Sequence, residues 1–286
     1  MQVRFRLVDV FTETPFAGNQ LCVVTDPPAE LDPATMQTLA QEIGFSETTF
    51  VTESGGSRYS MRIFTPNREL PFAGHPTLGT AFTLAHDGRI TSPAIQTTAV
   101  GDVTVEVDVG DGFAWMTQHP SVFGDEFADR DLLAHAAGLD ADDLHPDLPA
   151  QIVSTGLGPL LIPVRDEAAL RSAERDGRAS AEAAKGSGGE CLYYFAIRAD
   201  GDVVARMFDP YFGIGEDPAT GSAVGPLGAY LAARGVAGMP GRMVVSQGEM
   251  VGRPSSLHVD ARVDGDSWTI RVGGGVRIVG QGSFEV

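Results

Sequence analysis

The sequence predicts an α+β protein of two pseudo-symmetric domains, each a mainly antiparallel sheet or barrel around a central helix. The first observation behind this is repetition. Arg62-Ile63-Phe64-Thr65-Pro66 recurs as Arg206-Met207-Phe208-Asp209-Pro210, and Ala73-Gly74-His75 is echoed by Thr220-Gly221-Ser222. Val107-Asp108 returns as Val259-Asp260, and Asp111-Gly112-Phe113-Ala114-Trp115 as Asp264-Gly265-Asp266-Ser267-Trp268. The offsets grow from 144 to 153 residues in chain order, as small insertions in a duplicated unit would produce. The second observation is that each half alternates strand patterns with helical periodicity. The third is composition: 286 residues, 43% apolar and 20% charged, suffice for a buried core in each half.

Along the first half, Val3 to Val10 and Gln20 to Thr25 read as strands. Asp32 with Pro33 caps a helix that places Met36, Leu39, Ala40 and Ile43 on one face, and Gly44 ends it. Thr48 to Val51 and Tyr59 to Phe64 flank the Ser54-Gly55-Gly56-Ser57 turn as a hairpin. Pro76 opens a second helix carrying Leu78, Ala81, Phe82 and Ala85 on one side, and strands follow at Val103 to Val109 and Phe113 to Thr117. The second half repeats the scheme with a helix from Asp166, a hairpin turning at Asp200-Gly201, and a helix from Ser222 that aligns Val224, Leu227, Gly228 and Leu231. The halves are expected to join near Pro120 to Asp131. The first domain then covers 1–119, completed by the leftover strand Val276 to Val286, the second covers 120–275, and the active site lies in the cleft between them.

Charge and motif content exclude several classes. A formal net charge of −18 argues against nucleic acid and anionic membrane surfaces as partners. The lone lysine, Lys185, sits in a Gly/Ser/Ala-rich stretch and sets Schiff-base chemistry aside. Cys22 and Cys191 make neither a zinc spacing nor a disulfide framework, and no HExxH, GxxxxGK[ST] or GxGxxG is present, so no metal or nucleotide cofactor is expected. The acidic run Asp140 to Asp147 lacks the glycine and distal glutamate of a calcium loop and reads as solvated. The longest near-apolar run, Val224 to Ala233, is too short for a membrane helix, and with no signal-peptide pattern the expected location is the cytoplasm.

The chemistry concentrates at the two repeated helix starts, Gly74-His75-Pro76 and Gly221-Ser222. A helix start offers N–H groups and partial positive charge to an anion, and a glycine there lets a ligand approach the backbone. Each glycine taken singly also reads as a turn or cap residue; the related pair favours a site for a small carboxylate. Glu47, in Phe45-Ser46-Glu47-Thr48-Thr49-Phe50-Val51, opens a strand directly after a helix. Partial burial there raises a carboxyl pKa and suits a general acid/base, while an exposed strand-end glutamate or an arginine partner fits the same position. His75 and Asp217 divide evenly between capping and ligand contact. The Phe16-Ala17-Gly18-Asn19-Gln20 and Gln247-Gly248 turns are weak signals alone.

Four blocks carry a family resemblance: FTETPFAGNQ at Phe11 to Gln20, GFSETTFV at Gly44 to Val51, FTPNRELPFAGHPTLGTAF at Phe64 to Phe82, and GEDPATGSAVGPLGAYL at Gly215 to Leu231. Together they resemble the PhzF-like isomerases, named for phenazine biosynthesis. The resemblance implies a fold similar to diaminopimelate epimerase, no cofactor, and a homodimer. It also implies a glutamate, matched by Glu47, that shuttles a proton between carbons of trans-2,3-dihydro-3-hydroxyanthranilate, with His75, Asp217 and Ser222 in support. Related racemases place a cysteine before each helix-start glycine, where Ala73 and Thr220 stand here, so a two-thiol mechanism is not expected. Two rival functions are a catalytically silent carboxylate-binding protein, and a serine hydrolase at Ser46 in Gly44-Phe45-Ser46-Glu47-Thr48. The hydrolase motif fails at Thr48.

Overall fold

A computed structural model describes residues 1–99, 101–211, 213, 215–264 and 267–286, with the backbone alone described at 264 and 267. Part of the Asp264 to Trp268 echo, at 265 and 266, lies outside the described residues. The chain divides into two compact units, Met1–Gln118 with Gly273–Val286, and His119–Val272.

The first unit contains β1 (Gln2–Val10), β2 (Asn19–Val24), α1 (Pro33–Ile43), β3 (Glu47–Gly55), β4 (Arg58–Phe64), β5 (Glu69–Leu70), α2 (Gly74–His86), β6 (Ala94–Thr98), β7 (Gly101–Asp108) and β8 (Phe113–Thr117). The second contains β9 (Val122–Phe127), α3 (Arg130–Ala136), β10 (Ala150–Ser154), β11 (Leu160–Pro163), α4 (Glu167–Ser172), α5 (Gly177–Ser187), β12 (Leu192–Ile197), β13 (Val203–Phe208), β14 (Glu216–Asp217), α6 (Gly221–Arg234), β15 (Arg242–Gln247) and β16 (Ser255–Asp264). The last strand, β17 (Ser267–Glu285), gives its residues from Gly273 onward to the first unit.

In the first unit the pairing β17-β1-β2-β3-β4-β6-β7-β8 returns to β17 and closes a barrel of 8 strands. Closure removes the open edges a flat sheet would expose. Two steps are parallel, β2 to β3 and β4 to β6, and a parallel step needs a crossover. α1 supplies the first and α2 the second. In the second unit the succession β9-β10-β11-β12-β13-β15-β16 has its parallel steps at the matching places, β11 to β12 and β13 to β15, the latter crossed by α6. The class is therefore α+β, as the sequence predicts.

α2 packs against β1, β2, β3, β7 and β8, and every residue from Gly74 to Leu84 is buried. A helix enclosed on all sides must be small where strands press on it. A Cβ on Gly79 would lie 2.6 Å from Leu21 Cδ2 and 2.9 Å from Val10 Cγ2. The one-sided apolar face read from the sequence is thus corrected to burial all round, and Ala85 is only half-buried. The repeated R-x-F-x-P motif is a staple. Arg62 binds Glu69 through Nε (2.7 Å) and Nη2 (2.6 Å) and sits 5.1 Å from the Phe64 ring centre; Arg206 binds Glu216 likewise (3.0 and 2.7 Å) and sits 4.9 Å from Phe208.

Other boundaries shift for identifiable reasons. The stretch expected to be a joint, Pro120 to Asp131, contains β9, whose Val122 and Phe123 are exposed; its pairing with β10 leaves no alternating pattern to read. The single helix expected from Asp166 is two. Asp166 caps α4, then Glu174 N–H and Asp176 N–H donate to Ala137 and Ala136 carbonyls, and Asp176 caps α5. The acidic run opens as a capping-box turn, with Asp140 and Asp143 satisfying each other's backbone N–H groups.

Gly18 tests the β1–β2 turn. Its φ is +70° and a Cβ would lie 2.3 Å from the Val10 carbonyl oxygen, whereas Gly56, at φ +56°, has nothing within 4 Å. Gly56→Ala should cost about 1 kcal/mol and Gly18→Ala on the order of 3 kcal/mol in urea unfolding. Equal losses would contradict the packing described.

Candidate active site

The candidate residues Glu47, Gly74 and His75 lie at one end of the first barrel, where β2, β3 and α2 all begin. Leu21 is the register partner of Glu47 in the parallel β2–β3 pair, so the start of β3 sits beside the start of β2. Gly44, left-handed at φ 69°, stops α1 and lets the chain turn into β3 at Glu47. Glu47 Oε2 lies 3.5 Å from His75 Nε2, with side-chain exposures of 16% and 5%. Burial pushes the His75 imidazole down to about 3, opposed by a hydrogen bond to the Gln20 backbone, so the ring is neutral at pH 7. Nε2 makes no hydrogen bond among the described residues. The Gln20 carbonyl therefore takes the Nδ1 proton, and Nε2 presents a lone pair toward Glu47.

α2 starts without a cap. Ala73 is its N-cap residue and has no side chain to accept a bond, Pro76 has no N–H, and Thr77 N–H is taken by Ala73 O at 3.4 Å. The N–H groups of Gly74 and His75 lie outside the helix's own bonding. His75 is thus not a cap residue. By contrast Asp32, Asp129, Asp166 and Asp176 each cap the start of α1, α3, α4 and α5.

The candidate residues Asp217, Gly221 and Ser222 lie at or beside the start of α6. Thr220 occupies the N-cap position, yet its hydroxyl donates to Asp217 Oδ2 at 2.6 Å and makes no capping bond. Asp217 closes the short β14 strand and is buried at 5% exposure. The backbone N–H groups of Ala223 and Val224 both donate to Thr220 O, so Ser222 N–H stays at the helix start. Pro226, one turn on, removes the N–H that would bind Ser222 O. Gln247 and Tyr193 complete the cluster. Tyr193 OH donates to Gln247 Oε1 at 2.9 Å, and Gln247 Nε2 donates to Asp217 O at 2.8 Å and Thr220 Oγ1 at 3.0 Å. The Gln247-Gly248 turn was legible as a glycine signal only; nothing in the sequence marks Tyr193, since strand β12 reads as an ordinary apolar run.

The remaining candidates fall away from chemistry. Ser46 Oγ donates to Asn19 Oδ1 at 3.0 Å, a turn contact beside a helix end. Cys22 and Cys191 are buried, and burial pushes the Cys22 thiol up to about 12 and Cys191 higher still, where Asp217 adds to the effect. Neither forms a thiolate near pH 7.

The first unit is a closed barrel of 8 strands around α2, and the second unit repeats its order of parallel steps with α6 at the matching place. A profile of the phenazine biosynthesis-like (PhzC-PhzF) proteins matches residues 8–282, and the chain belongs to that family. An uncharacterized isomerase of Deinococcus radiodurans is 34% identical over 95% of this chain and 91% of that protein. The trans-2,3-dihydro-3-hydroxyanthranilate isomerase of Pseudomonas aeruginosa is 32% identical over 92% of each. The crystal structure of a Bacillus anthracis phenazine biosynthesis protein of the PhzF family superposes with a TM-score of 0.88 at 26% identity, covering 100% of both chains. No described helix is long and apolar enough to cross a membrane.

His75 makes stability pH-dependent. Its folded value of about 3 lies below the unfolded value of 6.5, so the unfolded chain binds the extra proton between them and stability falls as pH drops through that window. The slope from this group is about 1.4 kcal/mol per pH unit. Urea unfolding of His75→Asn should lose that slope between pH 6 and about 4, while groups such as Glu167, held down to about 2 by Arg198 and Arg171, contribute equally to both proteins. Parallel pH profiles would contradict a buried neutral His75.

Proposed function

We propose that this protein is a cofactor-independent isomerase that moves a proton between carbons of a small carboxylate-bearing substrate, with Glu47 as general acid/base. The observation that carries this is the 3.5 Å approach of Glu47 Oε2 to a buried, neutral His75 at the uncapped start of α2. In the carboxylate form Glu47 takes a proton from a carbon activated by conjugation, and the carbon–hydrogen electrons move into the conjugated system. His75 Nε2 accepts a hydrogen bond from the protonated carboxyl, which then returns the proton to another carbon while the electrons shift back. The N–H groups of Gly74, His75 and Ser222 hold the substrate carboxylate, which suits an anion site in so acidic a protein. His75 and Asp217 fix its polar substituents, and Gly221 keeps the backbone of α6 approachable.

The substrate class follows the Pseudomonas relative: trans-2,3-dihydro-3-hydroxyanthranilate or an unsaturated amino or hydroxy acid like it. We read the two units as one duplicated design, supported by the matching pairing order and the twin R-x-F-x-P staples. The homodimer implied by the resemblance and the cytoplasmic location expected from the sequence belong to the same proposal, and sedimentation equilibrium tests the dimer.

Glu47→Gln should keep the fold while lowering turnover on the order of a hundred- to ten-thousand-fold. In heavy water, the wild type should transfer part of the original hydrogen to the receiving carbon alongside solvent deuterium, because one carboxyl holds the proton briefly. Complete solvent incorporation at that carbon would reject a single-carboxylate shuttle, and no exchange over a panel of unsaturated carboxylic acids would favour a silent binding protein.

A further inference from the structure

The buried amide of Gln247 has one possible orientation, and two backbone groups set it. Oε1 accepts from Thr220 N–H at 3.3 Å and Nε2 donates to Asp217 O at 2.8 Å. Exchanging the amide oxygen and nitrogen would set donor against donor at Thr220 and acceptor against acceptor at Asp217, so the amide cannot be turned over. With the orientation fixed, Nε2–H also points at Thr220 Oγ1, 3.0 Å away. That hydroxyl accepts there and has one proton to give, which goes to Asp217 Oδ2 at 2.6 Å. Tyr193 OH, on the far side, donates to Oε1 at 2.9 Å and holds the amide in place. Gln247 is 1% exposed, Tyr193 0% and Thr220 7%, so water does not compete for these bonds.

We propose that Gln247, clamped by Tyr193, is a positioning residue that orients the Thr220 hydroxyl and thereby holds Asp217 as an ionised hydrogen-bond acceptor at the start of α6. The relay is a property of the second unit alone; its use on a substrate rests on the function proposed above. Thr220, at the place where related racemases carry a cysteine, thus supports a carboxylate and is no substitute nucleophile. Cys191 and Tyr193 lie close enough to feel the Asp217 charge, and burial keeps both neutral. Glu216, next in sequence, is taken up by Arg206.

The test needs no substrate. Carboxyl 13C NMR, with the Asp217 signal assigned by its loss in Asp217→Asn, reads this group's titration directly. Thr220→Val should move the titration up by a pH unit or more, a tenfold change in proton affinity. Thr220→Ser should restore it, and Thr220→Ala serves if the valine variant does not fold. Gln247→Met, which leaves the threonine hydroxyl unoriented, should reproduce part of the shift. A Thr220→Val titration identical to wild type would overturn the proposal. A shift in Thr220→Val with none in Gln247→Met would remove Gln247 from it. Either result leaves the Glu47 reading untouched, and failure of Glu47 to exchange protons leaves the titration result standing.

Discussion

A helix enclosed by a closed barrel is the constraint from which the rest of the first unit follows. α2 has strands around it, so its side chains cannot sort into an apolar and a polar face, and beyond His75 and Pro76 its buried span from Gly74 to Leu84 is built from Gly, Ala, Thr, Leu and Phe. Polar side chains inside must find partners there. Thr77 and Thr83 return their hydroxyls to Ala73 O and Gly79 O, and Thr80 meets Thr49 at 2.9 Å. Enclosure also decides what the helix start can do. Peripheral helices meet solvent and are capped by aspartates, while α2 begins inside with Ala73 in the cap position and keeps the partial charge of its N-terminus for another anion.

The same enclosure explains His75. An imidazole at the first turn of a buried helix cannot carry charge cheaply, so it is neutral, and the Gln20 carbonyl decides which nitrogen holds the proton. The nitrogen left bare is the one beside Glu47. Local backbone geometry, barrel closure and burial thus place a proton acceptor against a carboxyl. In the second unit the arrangement differs in its parts. There a threonine takes the cap position and is turned aside toward Asp217, leaving the α6 start uncapped by a different route.

Much of this was legible from residues. The Asp32-Pro33 start and Gly44 stop of α1 are local rules and stand where the sequence puts them. The R-x-F-x-P repeat is visible as letters, and its meaning as a bidentate arginine staple is visible only once β5 and β14 bring Glu69 and Glu216 alongside. β9 is held by pairing and shows no alternation, and the chain between α4 and α5 bonds to the Ala136 and Ala137 carbonyls at the end of α3, which no local rule foresees. The candidate residues Glu47, His75, Asp217 and Ser222 stood out through resemblance and repeated glycines. Tyr193 and Gln247 did not, because their importance lies in a four-bond geometry joining three separated segments.

The site proposed for the substrate carboxylate is the uncapped start of α2, beside Glu47. A crystal structure with a non-reactive unsaturated carboxylic acid tests this most directly. The account predicts a carboxylate oxygen within hydrogen-bond distance of Gly74 N–H or His75 N–H, with a carbon of the ligand against the Glu47 carboxyl. A ligand bound with its carboxylate elsewhere, and with Glu47 facing no carbon, would contradict it.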